Sequence, residues 1–152
     1  VALGICYATG SGVAKDSAKA VEWYQKAANQ GNANAQYNLG CHYATGDGVT
    51  KDLTKAVEWY KEAADQGYAK AQYNLAVSYA AGNGVTQDLT KAVELFQKAA
   101  DQGLAEAQFI LGLSYAKGDG VTKDLTKAVE LFQKAADQGN VDAQSALKML
   151  SK

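Results

Sequence analysis

Apolar residues along this chain recur at three- and four-residue steps, in blocks that themselves repeat. Between Asp52 and Gly67, the residues Ala56, Trp59, Tyr60, Ala63 and Ala64 make one apolar helical face. Lys55, Glu58, Lys61, Glu62 and Asp65 make the other, a charged face whose simplest role is solubility, with Lys61 and Asp65 one turn apart. Asp52 is placed to cap the free amides of the first turn, and Gly67 to close the helix in the left-handed conformation. An earlier stretch, roughly Ala33 to Thr45, reads as a second helix ending at Gly46. We call the earlier stretch helix A and the later one helix B.

The pattern has a fixed period. Gly31, Gly67, Gly103 and Gly139 fall 36 residues apart, as do the turns Gly10-Ser11-Gly12-Val13, Gly46-Asp47-Gly48-Val49, Gly82-Asn83-Gly84-Val85 and Gly118-Asp119-Gly120-Val121. Asp16, Asp52, Asp88 and Asp124 keep the same spacing, and so do four Ala-Ala pairs beginning at Ala27. This regularity predicts an all-α repeat fold of antiparallel helix pairs, a single repeat domain over 1–152. It divides into a partial repeat 1–31, repeats 32–67, 68–103 and 104–139, and a C-terminal capping helix 140–152. Helices of about 14 residues are marginal alone in water, so stability must come from stacking. Gly4, Gly40, Ala76 and Gly112 mark a place where helix B crosses close to helix A.

Both ends depart from the pattern. Lys148 replaces the small residue of helix A, and Ser151 stands where Tyr43, Tyr79 and Tyr115 stood, which suits a cap. Val1, Leu3 and Ile5 open in mid-pattern, so their apolar seam is expected to be covered by an upstream helix or by self-association at this N-terminal end.

Comparing the repeats with one another separates a constant face of helix A from a drifting one. Ala35, Gln36, Leu39, Tyr43 and Ala44 mark the constant positions. The drifting set is Asn34, Asn38, His42 and Thr45, then Lys70, Asn74, Ser78 and Ala81, then Glu106, Ile110, Ser114 and Lys117. Spacings of four, four and three residues place each set in a stripe on one side of the helix. We expect this stripe to bind a partner, with the amides of Asn38 and Asn74 meeting the backbone of an extended peptide. Tyr37, Tyr73 and Phe109 border it and are expected to pack between neighbouring A helices.

Composition narrows the function further. With 15 Lys and Arg against 16 Asp and Glu, the net charge is −1, so no basic field exists to attract nucleic acid. No apolar run is long enough for membrane insertion. Proline is absent, which suits uninterrupted helices joined by glycine turns. Two cysteines are too few for a disulfide framework.

The run Ala35-Gln36-Tyr37-Asn38-Leu39-Gly40, with Tyr43, Gly46-Asp47-Gly48-Val49, Asp52, Ala56, Trp59-Tyr60, Ala63-Ala64 and Gly67, resembles the Sel-one-like repeat family. That family belongs to the wider tetratricopeptide-like solenoids, and the resemblance covers essentially the whole chain. It implies a right-handed α/α superhelix whose A helices line a concave surface. It also implies an adaptor or scaffold that binds a protein or peptide, not an enzyme. One branch of the family is secreted, cysteine-rich and associated with β-lactam binding; this chain lacks that branch's cysteine pair in every repeat.

Some residue types invite a chemical reading. Ser114-Tyr115-Ala116-Lys117 matches the Ser-x-x-Lys nucleophile motif, but no Ser-Asp-Asn or Lys-Thr-Gly accompanies it. A weak hydrolase or β-lactam binder is therefore the rival reading, and a purely structural spacer is another. Cys6, Cys41 and His42 fall close in the repeat register, yet three ligands leave a tetrahedral metal site incomplete, so neither metal nor cofactor is expected. A Cys6–Cys41 disulfide stays open beside two unlinked thiols. Glu22, Glu58, Glu94 and Glu130 form a row on the solvated side of helix B, as a scaffold would repeat it.

Overall fold

The computed structural model describes residues 1–150, and every regular element among them is an α-helix. In chain order these are α1 (Ala2–Thr9), α2 (Ser17–Asn29), α3 (Ala33–Thr45), α4 (Leu53–Asp65), α5 (Ala69–Ala81), α6 (Leu89–Asp101), α7 (Ala105–Lys117), α8 (Leu125–Asp137) and α9 (Val141–Leu150). Odd-numbered helices are the A helices and even-numbered ones the B helices. Ser151 lies outside the described residues.

The local rules operate as the sequence predicts. Asp52 Oδ1 accepts the Lys55 amide at 3.0 Å, and Asp16, Asp88 and Asp124 do the same for Lys19, Lys91 and Lys127. Gly67 has φ 83°, and its N–H donates to the Ala64 carbonyl at 2.9 Å, ending α4. The turn from A to B is tied by the Asp52 N–H donating to the Tyr43 carbonyl at 2.9 Å, a bond that recurs at Asp16, Asp88 and Asp124. The A helices start differently. Asn32 and Asn140 cap α3 and α9 through their side chains, whereas Leu104 at the start of α7 gives no side-chain cap.

Two compact units result, one of residues 1–71 with 83–85, the other of 72–82 with 86–152. In the first unit, Ala20, Tyr24, Ala28, Ala35 and Leu39 form the core of α2 and α3. In the second, Ala76, Ala92, Phe96, Ala99, Ala107 and Leu111 do so for α5, α6 and α7, and Ala128, Phe132, Ala135 and Ala143 for α8 and α9. Burying one such Leu or Phe contributes about 1.5–3 kcal/mol. The close crossings fall where expected. A Cβ on Gly40 would stand 2.6 Å from the Tyr60 ring, and one on Gly112 2.7 Å from the Phe132 ring.

The terminal helices carry exposed apolar residues. Leu3 and Ile5 of α1 are 47% and 44% exposed. In α9 Lys148 faces solvent, but so does Met149 at 71% and Leu150 at 54%, so its outer surface is not uniformly polar.

Candidate partner-binding face

On α3, the predicted stripe is bonded largely to itself. The Asn38 amide nitrogen donates to both the carbonyl and the side-chain oxygen of Asn34, each at 2.9 Å, and the Asn34 amide donates to the Tyr68 hydroxyl at 2.9 Å. His42 is only 11% exposed in its side chain. Its ring lies 5.6 Å from that of Tyr24, and its Nδ1 is 2.7 Å from the Asp47 carbonyl oxygen, which it can meet only as a donor. Thr45 returns its hydroxyl to the Cys41 carbonyl at 2.9 Å. The Asn38 donors expected to face a guest backbone are thus taken up here by Asn34, one turn earlier.

The stripe of α5 also splits. Lys70 is exposed and Asn74 half-buried, but Ser78 is only 8% exposed and donates its hydroxyl to the Asn74 carbonyl at 2.9 Å. Ser78 is therefore the buried member of the α5 stripe.

On α7 the same positions look outward onto a cleft. Ile110, Ser114 and Lys117 line a space of about 350 Å³ with Val77, Ala80 and Ala81 of α5, Leu89, Ala92, Val93 and Phe96 of α6, and Leu113. Its walls are mainly aliphatic and aromatic, and Val77 and Leu89 are more than a third exposed. Lys117 and Asp119 bring charge to its edge. Glu106, at the start of α7, is exposed and stands near Tyr73. Burial, then the Glu106 charge, pushes the Tyr73 phenol above its ordinary value.

The chemical candidates are placed as follows. Ser114 and Lys117 share the cleft, and the Ser114 hydroxyl donates to the Ile110 carbonyl at 3.2 Å. Cys6 and Cys41 are unlinked, with the Tyr60 hydroxyl 3.6 Å from the Cys41 sulfur. Among the described residues no group of three or more His, Cys, Asp or Glu is arranged to hold a metal ion. The four glutamates of the helix B row are all exposed. No described helix is long and apolar enough to cross a membrane.

Comparison with known families places this geometry. The model of the Sel1 repeat matches four times, over residues 1–32, 33–68, 69–104 and 105–140. The chain belongs to the Sel1 repeat family. Solved structures agree. A Sel1 repeat protein from Oxalobacter formigenes superposes with a TM-score of 0.91 at 38% identity, over 96% of this chain and 60% of that one. The protein c5321, a protective antigen of uropathogenic Escherichia coli strains displaying an SLR fold, matches at 35% identity and TM-score 0.66, over 94% of this chain and 38% of that one. Cysteine-rich protein B of Helicobacter pylori matches at 26% identity and TM-score 0.68, over 87% of this chain and 95% of that one. This chain therefore spans 60% of the Oxalobacter protein and a smaller share of the antigen. A search of curated proteins finds no match. Sel1 repeats are helical-repeat scaffolds that generally serve protein interaction, and they are typically non-enzymatic.

Two features of these Sel1 repeats were not legible beforehand. Gln36, Gln72 and Gln108 are buried, and each side-chain oxygen accepts from a second glutamine, Gln66, Gln102 or Gln138, at 2.6–2.8 Å. Gln36 and Gln108 also donate to the Ala28 and Ala100 carbonyls, so their constancy reflects a polar clasp inside the scaffold. Lys55, assigned to a merely soluble face, lies 5.5 Å over the Tyr43 ring, a contact repeated by Lys19, Lys91 and Lys127. The bordering aromatics each meet a ring of helix B in their own repeat, Tyr37 with Tyr60, Tyr73 with Phe96 and Phe109 with Phe132, and Tyr37 also meets Tyr68 at the start of the next repeat.

Proposed function

We propose that this Sel1-repeat chain is a scaffold that holds a protein or peptide partner against its A-helix face. The single observation that carries the reading is the cleft of about 350 Å³ beside α7, where Ile110, Ser114 and Lys117 join Val77 and Leu113. An apolar side chain of an extended segment fits between these walls, since pockets with apolar lining and a few polar groups are what small guests occupy. The polar edge at Ser114, Lys117 and Asp119 then meets the guest backbone or its charges. Asn74 and Glu106 of the same unit serve as rim in this reading, and Asn34, Asn38, His42, Thr45 and Lys70 are the matching A-helix positions of the other unit.

The test is selection of displayed random peptides on the purified chain, followed by titration of the synthesised winners. Ile110→Glu should weaken them at least about tenfold, because a charge in an apolar pocket loses its hydration. Circular dichroism should stay unchanged. Selected peptides that bind the variant as tightly as the parent would falsify the assignment.

A further inference from the structure

A second cleft, of about 680 Å³, lies in the first unit between the B helices α2 and α4. Its lining includes Gln25 of α2, Tyr43 of α3, and Lys55, Glu58, Trp59 and Glu62 of α4. None of the cleft's lining residues belongs to the A-helix stripe or to α7.

The repeat supplies its own control. On α2, Trp23 carries the ammonium of Lys26 over its ring at 4.5 Å. Thirty-six residues later the indole is kept as Trp59, but the lysine has become Glu62. The other two repeats keep lysine, Lys98 and Lys134, and replace the indole with Leu95 and Leu131. Among the described residues, the indole of α4 carries no ammonium over its ring, and it stands three residues from a carboxylate. Glu58 and Glu62 lie one turn apart on the same helical face, so their charges repel. Neither takes part in an ion pair among the described residues. The lysine of the cleft, Lys55, is already committed to Asp52 at 4.0 Å and to the Tyr43 ring at 5.5 Å.

We infer that this cleft binds an arginine side chain of a partner polypeptide, stacked on Trp59 and neutralised by Glu58 and Glu62. A guanidinium suits the place better than an ammonium, because its flat face stacks on an indole while its edge donates to two carboxylates. The guest's cation takes the position that Lys26 fills over Trp23. The half-buried Gln25 supplies a further polar contact.

The experiment titrates three blocked peptides, acetyl-Gly-Arg-Gly-amide and its lysine and citrulline counterparts, into the ¹⁵N-labelled chain while the Trp59 indole N–H signal is followed. Trp59→Phe assigns that signal. The arginine peptide should shift it saturably, the lysine peptide should bind several-fold more weakly, and neutral citrulline should leave it in place. Glu62→Lys should abolish the shift by restoring an internal cation, and Glu58→Gln should weaken binding several-fold, both with unchanged circular dichroism. Equal binding of citrulline or lysine, full binding to Glu62→Lys, or no shift at millimolar arginine peptide overturns the assignment. Because neither Ile110 nor α7 takes part, the outcome is separable from that of the Ile110→Glu experiment.

Discussion

Helices α3 and α7 occupy the same place in their repeats and present the same constant face, yet their drifting faces behave differently. Beneath both lie a fully buried leucine, Leu39 or Leu111, and a glycine pressed on a ring, Gly40 on Tyr60 or Gly112 on Phe132. Above them, α3 carries Asn34 and Asn38, whose amides bond to each other and to Tyr68, while α7 carries Glu106 and Ile110 and opens onto an apolar cleft. Drift along a helix thus has two outcomes. One repeat spends its polar groups internally, and another lines an apolar cleft.

The comparison predicts equal losses beneath and unequal ones above. Leu39→Ala and Leu111→Ala should each cost about 2–5 kcal/mol in urea unfolding, since both side chains are enclosed. A mild loss for one alone would break the claim of a common floor. Gly40→Ala and Gly112→Ala should each cost about 1–3 kcal/mol, the range for overpacking against a ring that cannot swing aside. Ala76 already occupies this register over Phe96, so the crossing can accept a methyl where the helices are set for it.

The faces should then diverge. Asn38→Ala should cost about 0.5–1.5 kcal/mol of stability through its lost bonds to Asn34, while peptide affinity stays within about twofold. Ile110→Ser should weaken selected peptides about tenfold and cost about 1–2 kcal/mol of stability, because Ile110 also packs against the core of α5, α6 and α7. Thermal melts and peptide titrations on the same two preparations check both halves.

The smallest effect concerns a helix cap shared by all B helices. The Lys19 amide beside Asp16 holds its carboxyl below the ordinary value of 3.8. A depressed folded value means the cap's contribution is present above pH 3.8 and is lost as pH falls through that lower value. The Lys19 amide resonance should therefore titrate below pH 3.8, and a midpoint above it would contradict the capping geometry.

These contrasts also show what the sequence could reveal. The period and the helix ends were readable because each depends on one residue's backbone or steric needs: Gly67 closes α4, Asp52 caps it, and Gly40 lets Tyr60 approach. The glutamine clasp was visible only as constancy, because Gln66 lies 30 residues from Gln36 and no spacing rule joins them. Within the stripe, an asparagine one turn from another can serve a guest or its neighbour equally well, and only coordinates show that the Asn38 amide bonds to Asn34. Ser78 fell outside the surface for the same reason, its hydroxyl returning to its own helix. Glu62 read as a solubilising charge, and the cleft that it lines with Trp59 also takes in residues of α2 and α3 that no spacing rule brings to it.

The chain contains two isoleucines, Ile5 and Ile110. Labelling their δ1 methyl groups gives two NMR signals, one from the α1 surface and one from the α7 cleft. Adding a selected peptide should move the Ile110 signal saturably and leave Ile5 still. Movement of Ile5 alone, or saturable binding that disturbs neither methyl, would contradict the A-helix cleft as the place where a partner is held.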